Sequence, residues 1–116
     1  MATLHLTIKK KWFDMILSGE KKEEYREVKP YWEKRFCEEL EGDFYSGVYV
    51  LTMKWKHYDN IVFTNGYSSN SPKMKVEFKG FRTSYINKLH WGATPDKLLF
   101  VLDLGEVLEV QNVEGY

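Results

Sequence analysis

Gly19-Glu20-Lys21-Lys22-Glu23-Glu24-Tyr25-Arg26, continuing through Lys29-Pro30-Tyr31-Trp32-Glu33-Lys34-Arg35, is the stretch on which the fold turns. It places both signs of charge, aromatic rings and a proline in a short span. Read as a strand over 21–28, it puts Lys22, Glu24 and Arg26 on one face and Lys21, Glu23 and Tyr25 on the other. Neither face is apolar, so this is not an ordinary core strand. Two readings fit: a solvated edge guarded by lysine, or a polar strand lining a cleft with Glu24 and Arg26 paired along one face. Pro30 then opens a helix at the first-turn position, where its missing N–H is harmless. Trp32, Phe36 and Leu40 recur at fourfold spacing with Cys37 alongside, which predicts a helix ending at Gly42. Tyr31 and Arg35 form a second stripe on that helix. An arginine beside an aromatic suits stacking on a planar ring or contact with phosphate, or else a cation–π pair on the surface.

Upstream, Leu4, Leu6 and Ile8 alternate with His5 and Thr7, the pattern of a strand with one buried face. Trp12, Met15 and Ile16 then share a helical stripe, widened by Phe13 and Leu17, and Gly19 stands where such a helix stops, giving a helix over 10–18. Lys9, Lys10 and Lys11 lie at its start. Cations there cost about 0.3–1 kcal/mol against the helix dipole. Either they join the free N–H groups in an anion site that includes Lys9, or they splay into water.

Downstream, the aromatic segment 43–58 reads as a short strand from Val48 to Leu51 within a covering loop. Ile61-Val62-Phe63-Thr64 is a fully buried strand. It leads into Asn65-Gly66-Tyr67-Ser68-Ser69-Asn70-Ser71-Pro72, either a loop of the kind that carries function, at Asn65, Gly66 and Tyr67, or a long hairpin turn. Met74, Val76 and Phe78 alternate with Lys73, Lys75, Glu77 and Lys79 until Gly80 marks a bulge, beyond which Phe81, Tyr85 and Ile86 continue irregularly. Leu98 to Leu104 is strongly apolar, and the run resumes beyond Gly105 at Val107, Leu108 and Val110. A long strand with a glycine kink wraps a sheet. The order β-α-β-α followed by antiparallel-capable strands predicts an α+β fold: a small, closed or nearly closed mixed β-barrel with two main helices packed against it.

The length of 116 residues fits one domain, 1–116. Formal net charge is zero, so no global field steers the chain to nucleic acid or membrane. Charge is uneven, however: 44–95 holds seven Lys and Arg against two acids, and 96–116 holds one lysine against five acids. The basic middle is a local anion-binding face or a set of scattered solubilising lysines. Cys37, the single cysteine, excludes an intramolecular disulfide and a cysteine-based zinc cluster and fits a reducing cytoplasm. No metal and no cofactor are expected. Without a leader pattern or a membrane-length apolar run, the expected setting is cytoplasmic, with no membrane partner.

Leu4-His5-Leu6-Thr7-Ile8-Lys9 leading to Trp12-Phe13-Asp14-Met15-Ile16, then Ser18-Gly19-Glu20-Lys21-Lys22 with Glu24-Tyr25-Arg26, Pro30-Tyr31-Trp32 with Arg35, and Asn65-Gly66-Tyr67 resemble the ASCH domain family of the PUA-like superfamily of small β-barrels. The resemblance spans residues 4 to about 110, and Gly-x-Lys-x-x-Glu-x-Arg is its most specific part. It implies a PUA-like barrel and an RNA-linked role, with a cleft between barrel and helices. One branch of the family hydrolyses N4-acetylcytidine with a lysine, a threonine and a glutamate. The lysine falls on Lys21, the threonine position holds Glu24, and the glutamate falls on Glu77. A carboxylate does not replace a hydroxyl nucleophile in acyl transfer. Another branch is described as ribonuclease-like, yet His5, His57 and His90 form no pair suited to that chemistry.

Three readings follow. In the first, Lys21, Glu24, Arg26, Tyr31, Arg35 and the Asn65–Tyr67 loop, with Lys9 nearby, bind RNA or a nucleotide. In the second, an amidohydrolase-like site acts on a modified nucleoside, with Lys21 polarising the scissile bond or activating water and Glu24 as general base; it requires a lysine or carboxylate with a shifted pKa. In the third, the charged strand holds itself together by ion pairs and does no chemistry.

Overall fold

The computed structural model describes residues 2–116; within it the side chains of Leu40, Tyr49 and Leu51 lie outside the described residues. The alternating apolar segment forms β1 (Thr3–Thr7), and the Trp12–Ile16 stripe forms α1 (Lys10–Leu17), which buries Phe13 and Ile16. Gly19 ends α1 at φ 83°, a left-handed conformation that glycine adopts without steric penalty. The Lys21 N–H donates to the Met15 carbonyl at 3.0 Å, so the chain folds straight back on α1. β2 (Glu23–Glu27) and α2 (Pro30–Phe36) follow, then β3 (Cys37–Tyr45), β4 (Val48–Trp55), β5 (Asn60–Thr64), β6 (Lys73–Tyr85) and β7 (Leu98–Gln111).

Five strands form one curled half-barrel sheet in the order β1-β5-β6-β7-β2, and β3 and β4 form a separate hairpin. β1 runs parallel to β5 and the other neighbours are antiparallel, so the sheet is mixed. Among the described residues the architecture is therefore α+β with two α-helices. The β6–β7 ladder shifts register between Lys75 and Gly80, and this lets two long strands curl together. Leu4, Leu6, Phe36, Ile61, Phe63, Met74, Val76, Phe100 and Leu102 form the core. Phe36 lies tilted against Phe81 at 4.9 Å and meets Phe100 edge-on at 5.4 Å.

Three expectations are corrected. The second helix stops at Phe36 rather than at Gly42, and Cys37 begins a strand instead. The fourfold spacing therefore does not run on to Leu40, whose backbone pairs with Met53. The helix breaks because Cys37 and Glu39 to Tyr45 pair antiparallel with β4, with a bulge at Glu38, and tertiary pairing outweighs a weak local periodicity. By the same pairing, 43–58 is mostly hairpin rather than loop, with Ser46 and Gly47 at the turn. Finally, β6 is continuous through Tyr85, so Phe81 to Tyr85 belongs to the ladder. Among the described residues, no helix is long and apolar enough to cross a membrane.

Candidate functional site

Lys21 and Glu24 are drawn together inside the molecule. Strict alternation would separate positions 21 and 24, but regular strand structure begins only at Glu23. The turn after α1 thus frees Lys21 from the pleat and swings its ammonium over the strand. Nζ lies 3.3 Å from both Glu24 carboxylate oxygens. Both side chains are nearly inaccessible, at 0% and 6% exposure. Glu24 Oε1 also accepts the Tyr25 N–H at 2.9 Å and lies 3.1 Å from Arg26 Nη1.

Rings complete the cage. Lys21 Nζ sits 4.6 Å from the centre of the Trp12 ring and 5.5 Å from that of Tyr25. Aromatic faces are negative, so they offset part of the lysine's lost hydration. Burial still dominates and lowers the Lys21 pKa; Glu24 opposes this through its charge and hydrogen bond, while Arg26 adds to it.

The network extends outward through Trp32. The Arg26 guanidinium lies 5.0 Å from that ring and the Arg35 guanidinium 5.5 Å. Tyr31 meets Trp32 edge-on at 4.7 Å and remains exposed. Arg35 donates to the Tyr31 hydroxyl at 3.0 Å and to the His5 carbonyl at 2.8 Å, which fixes its plane against β1. Pro30 and the four-residue spacing of Tyr31 and Arg35 on α2 place these groups side by side.

The remaining predicted residues stand apart. Asn65 Nδ2 donates to the Ile8 carbonyl at 3.0 Å and ties the loop to the end of β1. At Gly66 an added Cβ would lie 2.8 Å from Ser71 Oγ, a tight turn. Tyr67 is almost fully exposed. Lys9 precedes α1 and is exposed. No described contact joins these four to Lys21, Glu24 or Arg26. Glu77 is exposed and its carboxylate packs over Gly105, where an added Cβ would overlap it.

A second ionic centre surrounds Glu23. Glu23, on the opposite face of β2, accepts from the Tyr25 hydroxyl at 2.7 Å and from Lys88 at 3.2 Å, and it pairs with Arg82. Arg82 also holds Asp103 at 3.0 Å. Burial, the largest influence, pushes the Glu23 pKa up, but the Tyr25 and Lys88 hydrogen bonds and the two cations together hold it below the ordinary value. The Tyr25 hydroxyl is correspondingly harder to ionise, through burial and then the adjacent Glu23. The i, i+2 placement of Glu23 and Tyr25 is visible in the sequence; Arg82 and Lys88, some 60 positions on, carry no such signal. This centre borders a surface hollow of about 700 Å³. Among the described residues, no group of three or more His, Cys, Asp or Glu gathers to hold a metal ion. No family model, curated protein or solved structure matches the chain.

Proposed function

We propose that the chain is an ASCH-like, PUA-like domain that binds single-stranded RNA or a nucleotide along the ledge formed by Arg26, Tyr31, Trp32 and Arg35. The observation that supports this most is the pair of guanidiniums beside one indole ring, with an exposed tyrosine next to them. Planar guanidiniums and rings stack on bases, and arginine neutralises phosphate through directed hydrogen bonds. The buried Lys21–Glu24 pair supports the ledge from beneath by holding Arg26 through Glu24.

Titration with short single-stranded RNAs at two salt concentrations tests the proposal. Binding is expected to weaken with salt, because bound phosphates release counterions. Tyr31→Ala removes one stacking ring and is expected to cost about 1–3 kcal/mol of affinity. Absence of binding, or binding indifferent to both salt and Tyr31→Ala, overturns it.

The lowered Lys21 pKa favours a second reading, deacylation of a modified nucleoside such as N4-acetylcytidine. In it Lys21 polarises the scissile bond or activates water and Glu24 is the general base, which requires the enclosure that shuts both groups off from water to open to the nucleoside. Incubation with acylated nucleosides should then release the free amine, and Lys21→Ala should abolish that release. No turnover, or turnover unchanged in the variant, rejects this reading.

A further inference from the structure

The β3–β4 hairpin is anchored at one end only. Trp55 stacks on Phe81 at 5.2 Å and meets Phe100 at 5.9 Å, so its base is part of the core. Its far end leaves Tyr45 and Val48 mostly exposed, and Val50 is exposed as well. The molecule measures 56 × 31 × 23 Å, much longer than it is wide. A two-stranded hairpin is marginal by itself and gains most from further strands.

The two outer edges of this hairpin differ. β3 carries Glu38, Glu39, Glu41 and Asp43, and only Glu38 has a described ion pair, with Lys54. Pairing β3 with itself would bring like charges together, which is unfavourable. β4 is the reverse: Val48-Tyr49-Val50-Leu51-Thr52-Met53 has no charge, no proline and no glycine. Val48, Tyr49, Val50 and Thr52 are strand formers, and among the described residues β4 has no strand partner other than β3. Proteins usually protect such an edge with lysine, proline or a bulge. Here no such guard occurs before Lys54, and the register with β3 is regular from Glu39 to Tyr45.

We infer that β4 is an interface strand that pairs antiparallel with β4 of a second copy of this chain. An uncharged edge offers a foreign charged partner no complement, whereas it is self-complementary about a two-fold axis. The pairing gives a four-stranded sheet, β3-β4-β4-β3, with the acidic strands outermost and apart. It also brings Val48 and Val50 of the two copies near one another at the centre.

Light scattering coupled to size-exclusion chromatography tests this over a range of concentrations. The wild type is expected at twice the chain mass at tens of micromolar. Val50→Lys puts like charges near the two-fold axis and is expected to weaken association on the order of tenfold or more. Asp43→Lys on β3 should leave association in place. A wild type that stays monomeric at every concentration overturns the inference, as does a Val50→Lys protein that dimerises unchanged. Should Val50→Lys not fold, amide hydrogen exchange of the wild type decides: protection in β4 must rise with concentration, and protection independent of concentration counts against pairing.

Discussion

Replacing Glu24 by Gln keeps the side chain's shape and removes its charge, which isolates the role of the buried pair. In the wild type, Lys21 Nζ sits 3.3 Å from both carboxylate oxygens with neither partner open to water. Removing one member of such a pair leaves a buried ammonium without its counter-charge and typically costs about 3–5 kcal/mol. For a domain of this size, that corresponds to a fall in Tm of about 10–20 °C. The amide can still accept the Tyr25 N–H, so the loss reflects charge rather than a broken backbone contact.

The pH dependence carries a second signature. Burial lowers the Lys21 pKa and Glu24 raises it, so the variant's Lys21 titrates lower still. Below its folded pKa the chain must bury the ammonium and bears the full penalty. As pH rises from there toward the ordinary lysine value of about 10.4, the unfolded chain binds more protons than the folded one, and stability recovers. Urea unfolding at several pH values measures both effects. Lys21→Met combined with Glu24→Gln should regain most of the lost stability, since an apolar replacement of a buried pair is often neutral or stabilising. A loss in Glu24→Gln below about 1 kcal/mol, with no recovery at high pH, would refute the view that these two groups share one dry site.

Two further outcomes are expected. Glu23→Gln should cost about 1–2 kcal/mol at neutral pH, modest because Arg82 and Lys88 are partly in water. Because the folded Glu23 pKa is depressed, its contribution is present above the unfolded value and fades as pH falls through the folded one, so acid unfolding curves of variant and wild type should converge at low pH. Gly92→Ala should destabilise by about 2 kcal/mol or more, through its left-handed φ of 89° and a Cβ only 2.8 Å from the Trp12 ring; circular dichroism melting gives the loss, and tryptophan fluorescence reports the displaced ring.

Much of the scaffold was legible in local pattern. Alternation at Leu4–Ile8 and Met74–Phe78, the Trp12–Ile16 stripe, Gly19 and Pro30 each marked an element that exists in the fold. The same stripes concealed part of the site. Trp12 and Trp32 look like core residues by spacing, and only the folded chain shows cations at their faces. The hairpin carries no local signal, because helical spacing at Trp32, Phe36 and Leu40 is short-range information, while the partner that turns Cys37–Tyr45 into a strand arrives from β4.

The stretch from Gly19 to Arg35 divides along the same line. Its chemistry, three cations and two carboxylates within the six positions 21–26 beside aromatics, is a property of the sequence alone. So are the helix stop at Gly19 and the helix start at Pro30, because backbone sterics act locally. That Lys21 and Glu24 share one dry enclosure, while Glu23 beside them faces Arg82 and Lys88, was decided by tertiary structure. The turn after α1 takes Lys21 out of the pleat, and pairing with β7 fixes which face of β2 meets the core and which meets β6.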